Sequence, residues 1–156
     1  MPKQKGIKEI AVNRKAFHEY FVLDRFEAGI ELAGTEVKSI RAGQVNMKDS
    51  FCTVKDGELW VRSMHISPYE HGNIFNKDPV RPRRLLMHKR EIVKLNARVM
   101  QDGVTLIPLS LYFKDSRVKV ELGLCRGKKL QDKRDSEAER ESQRAIDRVL
   151  KERNYE

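Results

Sequence analysis

Cysteine is scarce in this 156-residue sequence, which contains only Cys52 and Cys125. The two residues lie far apart, outside any CxxC motif and without a nearby histidine partner. A structural zinc site normally needs four closely placed ligands, so this pattern excludes one. Both cysteines occur in apolar runs, SFCTV and LGLCR, and we expect them to be buried free thiols.

Long apolar runs are also missing. The N-terminus reads MPKQKGIK, which is not the apolar region of a secretory leader, and no run approaches the ~18 apolar residues of a membrane span. We therefore expect no membrane partner. A protein in the reducing cytoplasm fits these absences and the scarcity of cysteine.

Catalytic motifs are the third absence. The sequence has no HExxH, GxSxG, Walker loop or GxGxxG pattern, and its four histidines share no motif. We predict that the protein is not an enzyme and that it uses no cofactor or metal. The closely spaced carboxylates Glu27, Glu31 and Glu36 are more typical of ion pairs with nearby lysine or arginine than of a catalytic pair.

Positive charge is abundant. The chain has 32 Lys and Arg against 23 Asp and Glu, a net charge of +9 and a pI of about 9.7. Residues 128–156 are nearly neutral, so almost all of the excess lies in residues 1–127. A surface of this kind favours polyanionic partners, because binding releases their counterions.

The apolar pattern predicts a mainly β domain with inserted short helices. Period-two alternation predicts strands at residues 18–32 and 117–124. Short runs bounded by turn residues predict strands at 49–55, 58–66 and 104–113, with turns at Asp56-Gly57 and Lys114-Asp115-Ser116. Helical spacing predicts helices at 36–41, with Thr35 as N-cap, and at 91–100; residues 67–84 read as a long loop. An OB-type Greek-key β-barrel over residues 10–127 fits best, preceded by a flexible basic arm at 1–9.

Residues 128–156 form a charged tail. Its few apolar residues lie on a narrow stripe at helical spacing: Ala138, Ala145, Ile146, Val149 and Leu150. Because so thin a stripe cannot stabilise a lone helix in water, we predict a tail that is disordered when free and helical when docked.

Residues suited to RNA cluster near the N-terminus. Asn13, Arg14, Lys15, His18 and Tyr20 combine phosphate-binding charges with rings on which an unpaired base can stack.

Two further groups carry clustered positive charge. Lys38 and Arg41 lie one helical turn apart and could flank a phosphate groove, and the arginines of 81–84 offer phosphate contacts as well. The alternative is a solvated charged face with Tyr20 in the core.

Several motifs occur in order along the chain: NRKAFHEYF, EAGIELAGTEVKSIRAG, DSF, LSLYFKD, VKVELGL, GKK and DKR. From about Ile10 onward the sequence closely resembles the SsrA-binding protein (small protein B) family, the partner of tmRNA in bacterial trans-translation. The resemblance implies a monomeric OB-type barrel that binds the tRNA-like domain of tmRNA and catalyses no reaction. It also implies a tail that becomes helical in the vacant mRNA channel, past the decoding centre of the small ribosomal subunit.

The resemblance implies RNA contacts at eight positions that match the RNA-contact motifs of the family: Asn13, Arg14, His18, Tyr20, Glu27, Glu36, Lys38 and Leu86. In the tail, the matching positions are Gly127, Lys128, Lys129, Asp132, Lys133, Arg134, Val149 and Leu150. Glu27 would either contact RNA directly or orient a basic neighbour. The chain departs from common family residues at Gln131 and Ser142, which replace an ionisable histidine and an aromatic tryptophan.

The sequence also permits two rival functions. One is a general ribosome-associated or single-strand-binding module whose tail is a plain solvated extension. The other is an RNA-processing enzyme that uses Glu27 and His18.

Overall fold

The computed structural model describes residues 6–69 and 76–154. The chain divides into two compact units, one reaching Arg126 and one beginning at Gly127. The strands are β1 (Ile7–Val12), β2 (Tyr20–Ile30), β3 (Val45–Asn46), β4 (Phe51–Lys55), β5 (Glu58–Arg62), β6 (His65–Ile66), β7 (Arg83–Leu86), β8 (Thr105–Lys114) and β9 (Arg117–Gly127). The helices are α1 (Arg14–Glu19), α2 (Gly34–Arg41), α3 (Lys89–Asp102) and α4 (Leu130–Asn154).

Seven strands form one sheet in the order β1-β8-β4-β5-β7-β2-β9, and β9 pairs in addition with β8. The strand pairings therefore form a closed path that leaves β8 through β4, β5, β7, β2 and β9 and returns to β8. β1 pairs in addition with the C-terminal part of β8. β3 and β6 form a separate two-stranded sheet. The prediction of a mainly β domain with a few short helices is confirmed for the first unit.

Two tight hairpins shape this sheet. β4 and β5 are joined by Asp56 and Gly57, whose φ angles are 54° and 75°. β8 and β9 are joined by Asp115 and Ser116, with φ angles of 50° and 69°. Two consecutive residues with positive φ match the right-handed twist of the flanking strands. Both turns lie where the sequence predicts them.

A bulge in β8 divides the apolar residues between two clusters. The register with β9 shifts between Pro108 and Ser110, which makes Leu109 the extra residue. The side chains therefore change face at this point. Leu106 and Leu111 join the main core, while Leu109 joins a second cluster.

The main core is built from buried side chains of β2, α2, β4, β5, β7, α3, β8 and β9. The second cluster is smaller and lies against α1; its buried members are Ala16, Ile107, Leu109 and Cys125. Cys52 belongs to the main core, and both cysteines are buried free thiols as predicted. Burial raises the pKa of the Cys125 thiol to about 11 and raises the pKa of the Cys52 thiol as well.

The N-terminal boundaries differ from the prediction. The short helix α1 occupies residues that were expected to lead into a strand, so β2 starts at Tyr20 rather than at residue 18 and ends at Ile30. The predicted basic arm is also too long, because β1 begins at Ile7 and pairs with β8. Residues 1–5 of that arm lie outside the described residues.

Other boundaries shift in the middle of the chain. The N-cap of α2 is Ala33 instead of Thr35, and β4 starts at Phe51. The strand predicted at 58–66 breaks at Ser63, whose φ is 61°, into β5 and β6. The last residues of the predicted 67–84 loop belong to β7, which starts at Arg83; residues 70–75 lie outside the description.

The two long helices follow the predicted apolar spacing. α3 extends the predicted 91–100 segment and ends before Gly103, which has a left-handed φ of 64°. α4 covers the predicted apolar stripe of the tail, and the expected disorder of the free tail stays a prediction. Within residues 6–69 and 76–154, no helix is both long enough and apolar enough to cross a membrane.

Candidate nucleic-acid interface

Asn13 fixes the position of α1. Its Oδ1 accepts a hydrogen bond from the Ala16 N–H at 3.2 Å, the usual action of an N-cap. Its Nδ2 donates to the Pro108 carbonyl at 3.0 Å, and its backbone N–H donates to the Leu109 carbonyl at 2.8 Å. Asn13 is buried, and both groups of its side-chain amide form hydrogen bonds that hold α1 against the β8 bulge.

The cations of α1 differ in their surroundings. Arg14 is exposed, whereas the Lys15 Nζ lies 2.6 Å from Asp49 Oδ1 and 4.0 Å from Glu19 Oε1. The hydrogen bond to Asp49 is the main cause that raises the pKa of Lys15, and it lowers the pKa of Asp49 in return. Arg14 is therefore the more available phosphate ligand of the two.

Tyr20 serves two surfaces. It is half-buried and packs against the second apolar cluster, yet it also lines a cavity of about 250 Å³ together with Lys15, Asp49 and Phe51. His18, on the preceding helix α1, is also half-buried. Tyr20 and Phe51 bring two rings to this cavity, and rings of this kind stack with unpaired bases. The one cation of the lining, Lys15, is paired there with the carboxylates of Asp49 and Glu19.

Glu27 lies in a different place. Its Oε2 accepts a hydrogen bond from the Tyr112 hydroxyl at 2.5 Å, and Lys114 Nζ lies 3.4 Å from its Oε1. The Tyr112 hydrogen bond, aided by Lys114 and Lys119, lowers the pKa of Glu27 despite partial burial. Burial and the Glu27 charge raise the pKa of Tyr112. The predicted ion pair is confirmed here.

Lys114 and Lys119 extend the surroundings of Glu27. Together with Asp115 and Arg117 they line a cavity of about 400 Å³ beside the β8–β9 hairpin. Three cations against two carboxylates make this cavity electropositive. In the sequence, Lys114 and Asp115 are marked only as turn residues, and Arg117 and Lys119 only as polar positions of an alternating strand.

Leu86 lies on the same outer face of the sheet as Glu27. Ala28 and Ile30 of β2 are buried, so the alternate positions Glu27 and Gly29 lie on the outer face of the sheet. Gly29 pairs with Leu86 on β7. A Cβ on Gly29 would lie 3.2 Å from the Leu86 Cβ, which shows how closely Leu86 covers this glycine. Leu86 is 48% exposed and is available for an apolar contact.

Glu36 is in the interior. Its Oε1 accepts hydrogen bonds from the Ala33 N–H at 2.9 Å and from Arg81 Nη2. Its Oε2 accepts from Arg83 Nε at 2.6 Å and from Arg81 Nε at 3.2 Å. Burial acts to raise the pKa of Glu36, but these hydrogen bonds outweigh it and hold the pKa below its ordinary value.

Arg83 has no exposed surface. Besides Glu36, its guanidinium donates to the carbonyls of Met64, Pro79 and Arg81 at 2.8–3.2 Å. The hypothesis that the arginines of 81–84 offer phosphate contacts is therefore wrong for Arg83. Arg81 is bound to Glu36, and Arg84 lies 2.8 Å from Glu31. All three candidate glutamates thus form ion pairs, as the sequence predicts.

The exposed face of α2 carries Lys38 and Arg41, one turn apart. Lys38 Nζ lies 5.3 Å from the centroid of the Tyr69 ring, and Arg41 Cζ lies 5.8 Å from the centroid of Phe113. Each cation is therefore paired with a ring, a combination that suits both phosphates and bases. Neither ring is distinguished by the sequence pattern.

The predicted RNA contacts thus fall into three exposed groups and two internal anchors. The groups are the α1 surface, the outer face with Glu27 and Leu86, and the α2 face; the anchors are Asn13 and Glu36. Among the residues that the structure describes, no three His, Cys, Asp or Glu side chains are grouped as a metal site would require.

The tail residues lie in or just before α4. Lys129 and Arg134 are exposed, Lys128 is half-buried, and Val149 and Leu150 are 49% and 52% exposed. The side chains of Asp132 and Lys133 lie outside the described residues. Within α4, Gln143 Nε2 donates a hydrogen bond to Asp147 Oδ1 at 3.0 Å, and Arg148 Nε donates to the Arg144 carbonyl at 3.4 Å.

Comparison with known proteins gives consistent matches. A family model described as SmpB protein matches residues 10–152. An SsrA-binding protein of Clostridium perfringens is 60% identical over 154 residues, and one of Clostridium botulinum strain Hall is 58% identical; each alignment covers 99% of both chains.

A solved structure is similar as well. It is described as "tmRNA-SmpB: a journey to the center of the bacterial ribosome", and one of its chains is 47% identical with a TM-score of 0.66. The alignment covers 83% of this chain and 92% of that chain.

Proposed function

The chain belongs to the SmpB protein family, and from this membership we propose that it is an RNA-binding adaptor for tmRNA in trans-translation. It binds the tRNA-like domain of tmRNA and delivers it to ribosomes stalled on messages without a stop codon. The observation that carries this proposal is the match to SsrA-binding proteins over almost the full chain. The family resemblance drawn from the motifs is confirmed.

The RNA-binding body is an OB-type barrel. The return of the strand pairings from β9 to β8 supports a closed sheet, and the β8 bulge supplies the bend that closure needs. Such barrels often bind nucleic acid, but the fold alone does not choose the RNA.

On this barrel, RNA meets the α1 surface and the outer face with Glu27 and Leu86. Arg14 and Lys15 bind phosphates, and Tyr20 stacks with a base. Leu86 makes an apolar contact with a base or its sugar. Because Glu27 is already bound by Tyr112 and Lys114, its role is to orient the basic residues beside it.

Two predicted contact residues act from the interior. Asn13 holds α1 on the β8 bulge, and Glu36 holds α2 on Arg81 and on Arg83 at the start of β7. They position the exposed cations of their helices, so that the RNA does not touch their side chains.

The tail acts on the ribosome. α4 carries the apolar stripe of Ile146, Val149 and Leu150 along an otherwise charged helix. In the vacant mRNA channel, this helix and the basic residues before it replace the contacts of a codon–anticodon pair. The protein acts as a monomer in the cytoplasm, where ribosomes work, and it catalyses no reaction and needs no cofactor.

The test compares the full chain with a chain that ends at Gly127. Both are titrated with the tRNA-like domain of tmRNA, with unrelated duplex RNA as competitor, at several salt concentrations. We expect both to bind tightly and selectively, with an affinity that falls steeply with salt because phosphates are neutralised.

Other results would change the proposal. If the shortened chain fails to bind, the tail is part of the RNA site and the division of labour is wrong. If neither chain prefers the tRNA-like domain, a general single-strand-binding module is the better description. Cleavage of the RNA during the titration would favour the processing enzyme.

A further inference from the structure

A cavity of about 550 Å³ lies between β1, the end of α2 and the β8–β9 hairpin. Its lining residues include Lys8, Ile10, Arg41, Gly43 and Phe113. The volume lies within the range of small-ligand sites. The Arg41–Phe113 pair of the α2 face lines this cavity, whereas the α1 surface and the outer face with Glu27 and Leu86 contribute none of its described lining residues.

The lining has an apolar part and a charged part. Ile10 and Phe113 are half-buried and form the apolar wall, and both also pack against the main core. Lys8 and Arg41 are exposed at the cavity, where Glu9 is the one carboxylate among its described lining residues. The cavity therefore favours a ligand with an apolar plane and a negative charge.

Arg41 supplies a stacking surface. Its Cζ lies 5.8 Å from the Phe113 centroid, so the guanidinium and the ring are already associated. Arginine planes on aromatic rings are surfaces on which single-stranded bases stack. Beside them, Gly43 has a φ of 73°, and a Cβ added there would meet nothing within 4 Å, which leaves that part of the cavity open.

We propose that this cavity binds one unpaired nucleotide of an RNA partner. The base stacks on the Arg41–Phe113 pair against Ile10, and Lys8 and Arg41 neutralise the phosphate. The inference rests on the proposed function in one respect, because it takes RNA as the partner. It adds a second recognition element, for a single-stranded nucleotide, to the adaptor surface.

The test uses NMR titration of the full chain with the single-stranded tetraribonucleotide rA4 and, separately, with inorganic phosphate. We expect rA4 to shift the signals of Ile10, Ala42 and Phe113. Arg41→Gln and Phe113→Leu should each weaken rA4 binding about tenfold, because one stacking partner is lost. Phe113→Leu keeps an apolar side chain in the core, and Arg41→Gln changes an exposed residue, so both variants should fold.

The matched control is Arg90→Gln, an exposed arginine of α3 outside the cavity, which should bind rA4 within twofold of the unchanged chain. Shifts confined to other surfaces, or equal affinities for all variants, would overturn the proposal. So would identical shifts with inorganic phosphate alone, which would show a simple anion site.

Binding of the unchanged chain to the tRNA-like domain is measured in parallel. Failure there, with rA4 still seated in the cavity, would count against the proposed function and support the nucleotide site. If the chain binds the tRNA-like domain selectively but rA4 shifts no signal of the cavity residues, the nucleotide site alone would be overturned.

Discussion

Replacing Glu36 by glutamine should destabilise the fold far more than the same replacement at Glu27 or Glu31. Glu36 accepts four hydrogen bonds, two from Arg81 and one each from Arg83 and the Ala33 N–H. Glutamine keeps one acceptor oxygen and turns an amide group toward a guanidinium. The charge of Arg83, which has no exposed surface, then loses its partner.

The size of the effect follows from this burial. Removing one partner of a buried ion pair costs about 3–5 kcal/mol, because the other charge stays desolvated. For a domain of this size we expect the melting temperature to fall by roughly 10–20 °C. The matched control is Glu31→Gln, whose pair with Arg84 is largely exposed and contributes at most about 1 kcal/mol.

Urea unfolding at pH 7 measures the two free energies. A second series of measurements follows pH. The folded-state pKa of Glu36 lies below its ordinary value of 4.5, so its stabilising effect is present above that pH and is lost as the pH falls through the folded value. The difference between the unchanged chain and Glu36→Gln should therefore shrink below about pH 4.5.

A double variant tests the pairing itself. Arg83→Met combined with Glu36→Gln should cost less than the two single effects added together, since no buried charge is left opposite the lost carboxylate. The reasoning would be refuted if Glu36→Gln cost no more than Glu31→Gln, or if the effects of the two single changes were additive.

Three further predictions concern packing and titration. Gly123→Ala should lower the free energy of unfolding by about 1–3 kcal/mol in the same urea assay, because the added Cβ would lie 2.7 Å from the buried Leu109 Cδ1. Gly34→Ala is the control, because a Cβ there would meet no atom within 4 Å, and it should leave stability unchanged. Equal effects of the two changes would contradict the packing. Both buried thiols should resist a disulfide reagent at pH 8 until the chain is unfolded, since burial raises their pKa values; fast labelling of the folded chain would contradict this. Glu27→Gln should lower the pKa of Tyr112, read as the phenolate absorbance that Tyr112→Phe removes, and an unchanged titration would show that the hydrogen bond is not formed.

Local chemistry explains which elements can be predicted. The Asp56-Gly57 turn and the alternation of β9 are visible in the sequence because turn residues and side-chain period act over a few positions. The ion pairs of Glu27, Glu31 and Glu36 are also predictable as a class, since glutamates beside a basic sequence seldom stay alone.

Other features depend on distant partners. The six residues of α1 look like the approach to a strand, and their helix is held by Asn13, whose amide reaches Pro108 across 95 positions. The burial of Glu36 depends on Arg83, 47 positions away. The extra residue Leu109 becomes a bulge only when β8 meets β9. No local pattern encodes these contacts, so the internal roles of Asn13 and Glu36 are not visible before the fold is known.

The central claim is that a barrel binds tmRNA while the tail engages the stalled ribosome. The most direct measurement is peptide tagging in a reconstituted translation system that reads a message without a stop codon, with tmRNA present. The account predicts tagging with the full chain and none with the chain that ends at Gly127, although both bind tmRNA. Equal tagging by both chains would contradict it, because the tail would then have no part in rescue.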